Sequence, residues 1–390
     1  MAGPDVKKGE LSGTVSRATV LADRHPAVAV GSGTRSVSRV KVNPIQFEAR
    51  PSAPLDEATF GRLVETHRRE LQVHCYRMLG SFEDAEDQVQ ETFLRAWRKR
   101  DTFEARSTFR AWLYRIATNA CLDFLSRHPR QPRAGRSPLL PEGSARLGTP
   151  DEVYWLQPYP DRLLEPTAPA DAEPAAAVVA KETIELAFLV AIQHLPPRQR
   201  AVLILRDVLG WPAADAAEVL EVSVASANSA LQRARANLKD HLPPHRIEWA
   251  PAADPTNEER ALLQRYMGVL ERADTGALAQ LLREDIRITM PMSVPCVPGM
   301  PDPAWWGRSS FLASLRDVLD PGSPAYLGQW RSVPTRANRQ PAAAHYVRRP
   351  GDTAFRPQVL EVLRIADGKI VEITAFEPDL FPVFGLPKAL

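Results

Sequence analysis

Residues 81–127 read SFEDAEDQVQETFLRAWRKRDTFEARSTFRAWLYRIATNACLDFLSR, and they set two helical patterns of opposite charge side by side. Between Ser81 and Leu94 stand five acids, Glu83, Asp84, Glu86, Asp87 and Glu91, with no lysine or arginine. Between Arg95 and Arg136 eleven basic residues stand against three acids. A surface that turns from acidic to basic and aromatic within a few turns suits two different partners on adjoining faces. The spacing predicts a helix opening at Ser81, with Asp84 three positions on in the S-x-x-D form of a capping box. Ala85, Val89, Phe93 and Ala96 recur as its apolar face. Asp84, Asp87, Gln88, Glu91 and Arg95 form a polar stripe, which is either a solvated face or a docking face for a basic partner.

A second helix is predicted from Thr108 to Ser126, with Phe109, Leu113, Ile116, Ala117, Ala120 and Phe124 as its core stripe. Arg110, Trp112, Tyr114, Arg115 and Asn119 fall outside that stripe. Arginines among aromatic rings are what single-stranded nucleic acid requires, since bases stack on rings at about 1–3 kcal/mol each and guanidinium groups neutralise phosphates. Packing of Trp112 and Tyr114 against the preceding helix is the competing reading.

On the N-terminal side, Phe60, Leu63, Val64, His67, Leu71, Cys75 and Met78 predict a helix from Leu55 to Leu79, stopped by Gly80. Residues 1–54 lack periodicity and read as a disordered tail. Residues 131–178 read as a proline-rich linker, interrupted by an aromatic island, Val153 to Pro160, expected to dock on a neighbouring surface. Helical periodicity returns at Ala177. A turn at Leu195-Pro196-Pro197 opens a helix over Arg198 to Leu209. Ala213–Leu220, a turn at Glu221–Ser223 and Val224–Leu238 follow in helix-turn-helix form. Ser226, Asn228, Ser229, Gln232 and Arg233 lie on or beside the outer face of its second helix. Asn, Gln and Arg are side chains able to pair bidentately with base edges, for about 1–3 kcal/mol of discrimination each.

Residues 256–390 change character. Helices are predicted over Asn257–Ala273, Gly276–Leu282 and Gly307–Leu319. Strands are predicted over Asp285–Met290, Tyr326–Val333, Ala343–Arg348, Pro357–Ile365 and Ile370–Phe376. Asp367-Gly368 signals a hairpin. Helices followed by a curved antiparallel sheet make an α+β domain.

A chain of 390 residues suits two or three domains. A net charge of only +2 places any nucleic-acid signature in local patches. No stretch is long and apolar enough to span a membrane, and no signal peptide is visible, so a cytoplasmic protein is expected. Cys75, Cys121 and Cys296 have no paired spacing and read as small buried hydrophobes, with neither a disulfide framework nor a metal site. No cofactor is called for.

The motif Asp84-Ala85-Glu86-Asp87-Gln88-Val89-Gln90-Glu91 to Trp97, with Phe109 to Asn119, resembles region 2 of the extracytoplasmic-function (ECF) subfamily of sigma-70 sigma factors. Leu195 to Arg200 and onward to Arg235 resembles their region 4. Residues 256–390 resemble the SnoaL-like, nuclear-transport-factor-2-like cone carried by one group of that family, and Trp155-Leu156-Gln157-Pro158-Tyr159 resembles that group's linker motif. The resemblance implies a multidomain fold: region 2 over 55–130 and region 4 over 179–245, both all-α, then the cone over 256–390. It implies docking on core RNA polymerase, beta-prime and beta subunits, through Asp84, Asp87, Gln90 and Glu91. It assigns Phe103, Arg110, Trp112, Tyr114, Arg115 and Asn119 to the −10 promoter element, and Ser226, Asn228, Ser229, Gln232 and Arg233 to the −35 element. It implies regulation by the cone and no catalysis.

Two positions depart from the family pattern. Glu221 stands where many members have a small residue, and Pro212 stands where a Ser or Thr cap is usual, a place a first helical turn accommodates. Two rivals remain at this stage. One is a helix-turn-helix regulator acting without polymerase. The other is a cone with its own small-molecule ligand or enzyme activity, its pocket lined by Met290, Trp305, Trp306, Trp330, His345 and Phe376.

Overall fold

In the computed structural model the described residues are 56–103, 108–132, 153–164, 184–239, 241, 254–290 and 304–390. The expected tail over 1–54 and most of the linker lie outside them.

Three capped helices open the fold. α1 (Glu57–Leu79) starts where the Asp56 carboxylate accepts from the Thr59 N–H at 2.7 Å. It stops where Gly80, at φ 72°, turns its N–H back to the Tyr76 carbonyl, a left-handed closure that costs glycine nothing. α2 (Phe82–Arg98) is capped by Ser81, whose hydroxyl accepts from the Asp84 N–H at 3.2 Å. α3 (Phe109–Arg127) is capped by Thr108. Leu71, Cys75, Ala85, Leu113, Ala117 and Cys121 close a core between them. Gln88, assigned to the polar stripe, is buried instead, with its backbone carbonyl accepting from the Thr92 hydroxyl one turn on, so the stripe of α2 is narrower than its spacing implies.

α4 (Leu186–Gln193) and α5 (Pro197–Leu203) follow, and α5 runs into a π-helical turn at Ile204–Val208 where a single α-helix was expected. Ile184 and Glu185 are not helical, so the helix expected from Ala177 begins, among described residues, at Leu186. α6 (Ala213–Val219) and α7 (Val224–Lys239) form the helix-turn-helix. Pro212 sits at the N-cap of α6 rather than within its first turn. The Ser223 hydroxyl accepts from the Ser226 N–H at 3.1 Å, as its place before α7 implies.

The last part holds α8 (Asn257–Glu271), with a full Thr256/Glu259 capping box, α9 (Thr275–Leu281), β1 (Leu282–Thr289), β2 (Ala304–Trp306) and α10 (Arg308–Leu319). β3 (Gln329–Ala337), β4 (Gln340–Arg348), β5 (Arg356–Ala366) and β6 (Lys369–Phe376) complete one sheet in the order β2-β1-β6-β5-β4-β3. Asp367 and Gly368, at φ 52° and 69°, make the tight β5–β6 hairpin. The sheet is not wholly antiparallel. β1 runs parallel to β6, since the two come from opposite ends of the domain and no hairpin joins them. One face of the sheet packs on α8 to α10 through Tyr266, Phe311, Ala343 and Leu363. The other face, with Ala344, Tyr346, Leu360 and Val362, belongs to the same apolar cluster as the helical parts.

The three parts meet at a polar plug. Asn338, in the β3–β4 turn at φ 56° and fully buried, donates to the Tyr76 hydroxyl at 2.8 Å and to the Ile184 carbonyl at 2.7 Å. Its side-chain oxygen accepts from the Tyr159 N–H at 2.7 Å, and its own N–H donates to the Tyr159 carbonyl. The aromatic island docks as expected. Trp155, Leu156 and Tyr159 are buried, Tyr159 stacks beside Tyr76 and Phe82, and Gln157 ties Ser81 and Glu83 at the start of α2. Pro160 pairs with Ala337 at the edge of β3, and Asp161 accepts from the Arg339 N–H while burial pushes its carboxyl up to about 6.

Arg200 of α5 is buried and donates to the carbonyls of Met78, Ile192, Gln193 and Leu195. It therefore fastens α1 to α4 and α5, and burial lowers its pKa to about 9. Replacing Asn338 by Ala strands the Tyr159 N–H and the Ile184 carbonyl in the interior, so stability should fall by roughly 3–5 kcal/mol. Urea unfolding of the full chain measures this directly.

Candidate nucleic-acid interface

The face of α2 expected to meet polymerase is largely open. Asp87 and Gln90 are exposed, as is Leu94 at 52 %. Asp84 is half-buried and paired with Arg130 at 2.8 Å. Glu91 is held by Arg95 at 2.7 Å, and Arg95 reaches across to Asp123 of α3. The acidic row is thus anchored at both ends by neighbouring arginines while its centre faces solvent.

The −10 candidates on and before α3 divide into two groups. Phe103 and Trp112 are half-buried and form a ring cluster with Phe109, the three ring centres 5.3–5.6 Å apart, and Asn119 is half-buried. Both packing and partial exposure hold for this group, so the two sequence readings of Trp112 do not exclude each other. The second group is engaged inside the chain. Arg110 pairs with the buried Glu70 at 2.7 Å and lies over the rings of Tyr114 and Trp211. Tyr114 is wholly buried, with its hydroxyl donating to Glu70 at 3.2 Å and its ring 5.0 Å from that of Trp211. Arg115 is exposed, and its guanidinium grips the Glu221 carboxylate at 2.8 and 3.1 Å.

The physical causes lie beneath these contacts. Burial would push the Glu70 carboxyl up, but His67 and Arg110 hold it below the usual range. His74, wholly buried against Tyr114, is pushed down to about 3 by burial and then by the Arg77 charge, and it shares a 2.9 Å hydrogen bond with Thr118. It is therefore neutral at pH 7.

Sequence reasoning missed Trp211, and it marked Glu221 only as a departure from the family pattern, without its contact to α3. Trp211 follows Gly210 between two helices, a signal open to notice. Glu221 has φ 54°, a left-handed backbone that disfavours a branched Cβ, and its carboxylate reaches back to α3.

All five −35 candidates, Ser226, Asn228, Ser229, Gln232 and Arg233, are exposed along α7, while Ala227, Leu231, Ala234 and Leu238 seat that helix on α5 and α6. Arg235 is bound to Asp207 instead.

In the cone, His345 is not alone. It is buried, shares a 2.9 Å hydrogen bond with the Ser332 hydroxyl and another with Glu361, and Glu361 also accepts from the Tyr266 hydroxyl at 2.6 Å. These groups come together because Ser332 and His345 are register partners across β3 and β4, while Glu361 lies on β5 next to β4. Met290 and Trp330 pack with Val359 and Ala375. Phe376 faces the helical core on the opposite side of the sheet, so it does not share their pocket. The side chains of Trp305 and Trp306, and Cys296, lie outside the described residues. Cys75 and Cys121 are buried, and burial together with the adjoining Cys75 raises the Cys121 thiol well above its ordinary range. Among the described residues no group of His, Cys, Asp or Glu is placed to hold a metal, and no helix is long and apolar enough to cross a membrane.

A helical bundle with an acidic face beside arginines and aromatic rings, followed by a helix-turn-helix whose second helix is exposed, suits a transcription-initiation protein. The family model Sigma-70 region 2 matches residues 63–131 and Sigma-70, region 4 matches 185–238. The ECF RNA polymerase sigma factor SigG of Mycobacterium tuberculosis is 40% identical over 344 residues, covering 86% of this chain and 87% of that protein. SigE of Mycolicibacterium smegmatis is 31% identical over 195 residues, covering 50% and 66%. The crystal structure of Mycobacterium tuberculosis SigJ has the same fold, with a TM-score of 0.52 at 24% identity, over 84% of this chain and 99% of that one. The chain belongs to the ECF RNA polymerase sigma factors and directs RNA polymerase to promoters for initiation.

The His74 environment sets a pH dependence. Its folded pKa lies below the ordinary 6.5, so its contribution is full above pH 6.5 and is lost as pH falls toward 3. Between pH 7 and 4.5 the His74→Gln variant should lose roughly 2–3 kcal/mol less stability than the parent chain, read by urea unfolding at the two pH values.

Proposed function

We propose that the open face of α2, centred on Asp87, Gln90 and Glu91 with Asp84 at its margin, docks on the beta-prime subunit of core RNA polymerase. On this reading residues 55–130 act as region 2, 131–178 as the linker, 179–245 as region 4, and 256–390 as a regulatory cone without catalysis. Phe103, Arg110, Trp112, Tyr114, Arg115 and Asn119 melt and hold the −10 strand, and the outer face of α7 reads the −35 major groove while region 4 rests on the beta subunit. All of this takes place in the cytoplasm. The observation that carries the reading is the division of surfaces. An acidic helix with an open centre stands beside a basic aromatic helix, and a recognition helix presents Asn228, Gln232 and Arg233 to solvent.

Regulation follows from a distance. Elements 25 base pairs apart on B-DNA lie roughly 85 Å apart at about 3.4 Å per pair. Here Arg115 of α3 and Glu221 beside α7 are in contact. The arrangement with Trp211 over Arg110 and Tyr114 is thus a closed one, and the joint at Asn338 and Arg200 maintains it. Opening takes Trp211 and Glu221 away from α3, which releases Arg115 and uncovers the Tyr114 side of α3 for DNA. A cone held by its own internal hydrogen bonds, with His345, Glu361, Ser332 and Tyr266 mutually satisfied, suits this clamping role.

Two outcomes test the reading. Substituting Asp87→Lys and Glu91→Lys together should reduce co-purification with core polymerase at least tenfold, and retained affinity would refute the docking face. A chain ending at Pro243 should differ at least threefold from the full chain in run-off transcription with core enzyme. Equal activity would remove the regulatory role of the cone while leaving the docking face untouched.

A further inference from the structure

Where the linker meets the cone, a cleft of about 350 Å³ opens between Pro160 and Arg162, the N-terminal half of α8, the end of β3 and the C-terminal Phe384. None of its lining residues belongs to the His345 cluster, although Pro334 stands two residues along β3 from Ser332. Glu271, at the far end of α8, is bonded to Ser332 beside that cluster, while the cleft touches Arg260 and Leu263, two to three turns earlier. Its volume is at the small end of the range typical of ligand sites.

Every charged residue lining the cleft is an arginine: Arg162, Arg260 and Arg336. Arg162 donates to the Val383 carbonyl, and Arg260 to the Pro255 carbonyl and the Asn257 amide oxygen, all neutral acceptors. Among the described residues neither has a carboxylate partner. Arg336 is paired with Asp254 at 3.5 Å, an acid it shares with Arg339, and the buried Asp161 carboxyl also acts on both arginines. The rest of the wall is mostly apolar, made by Leu263, Phe384 and prolines including the exposed Pro334, with Gln264 and Thr335 as its two neutral polar members. Guanidinium groups present a fork of donors suited to carboxylate or phosphate oxygens, and the charge on Arg162 and Arg260 calls for an anion. Inorganic anions would leave the apolar wall, chiefly the exposed Pro334, wet, whereas a hydrocarbon body would cover it.

We infer that this cleft is a binding site for a small amphipathic organic anion. Its oxyanion group sits among Arg162, Arg260 and Arg336, and its apolar body lies against the wall formed by Pro334, Leu263 and Phe384. The site is built jointly from linker and cone, so an occupant binds the docked joint better than an undocked one and stabilises it by mass action.

The test uses the full-length chain alone, so it does not depend on polymerase or promoter behaviour. Octanoate and octyl phosphate are titrated calorimetrically, with inorganic phosphate and 1-octanol as the charge-only and hydrocarbon-only arms. The expected result is saturable binding of one or both alkyl anions, one per chain, at least tenfold tighter than phosphate or octanol. It should weaken at least tenfold in the Arg162→Gln/Arg260→Gln variant. Both arginines are at the surface, so this variant should melt without ligand close to the parent. Thr335→Trp, which narrows the cleft and leaves all charges in place, should weaken binding as well. Absence of saturable binding by either alkyl anion overturns the inference, as does equal affinity in the arginine variant. Equal binding of phosphate or octanol also overturns it.

Discussion

The polar plug around Asn338 and Arg200 governs the geometry of the whole molecule. Both side chains are buried, and both reach groups from parts of the chain more than a hundred residues away. A buried donor or acceptor left unmatched costs about 1–3 kcal/mol, so such groups tolerate little displacement. Apolar contacts alone would let the helical parts and the sheet slide over one another. The hydrogen bonds to Tyr76, Tyr159, Ile184 and Met78 select one arrangement.

That arrangement decides which surfaces face water. Trp211 lies over Arg110 and Tyr114 because α6 is seated against α3, and the same seating places Glu221 beside Arg115. The Arg115–Glu221 pair is about half exposed on both sides, so by itself it is worth about 0–1 kcal/mol. It does not hold the closed form; the buried joint does. The pair matters for occupancy, since a carboxylate stands where the proposed role of Arg115 would place a phosphate. A left-handed φ at Glu221 costs roughly 1–2 kcal/mol relative to glycine, a local strain that the structure turns to this contact.

The cone contributes in a different currency. Its inner hydrogen bonds run from Tyr266 through Glu361 and His345 to Ser332, and each member has its partner within the network. A satisfied network of this kind rigidifies a core, and a rigid cone is a firm base for the β3–β4 turn that carries Asn338. The rim at Arg162 and Arg260 is its counterpart outside, charged and without carboxylates among the described residues.

Local patterns were enough to place most helices and strands, because capping and periodicity act within a few residues: Ser81, Thr108, Ser223 and Gly80 do what their positions imply. The motif in residues 81–127 and the outer face of α7 carried the family and the exposure of the −35 candidates. The burial of Gln88 was not legible and that of Tyr114 stood as one of two open readings, since a polar side chain becomes interior only when another part of the chain covers it. Nor was the parallel β1–β6 pair, which depends on two strands from opposite ends of a domain. His345 looked solitary in sequence because its partners lie 13 and 16 residues along the chain and meet it only across strands. Sequence alone determined the helices, the motifs and the character of each surface. Tertiary structure alone decided which of those surfaces are covered, because that depends on long-range contacts at Asn338, Arg200 and Trp211 that leave no local periodicity.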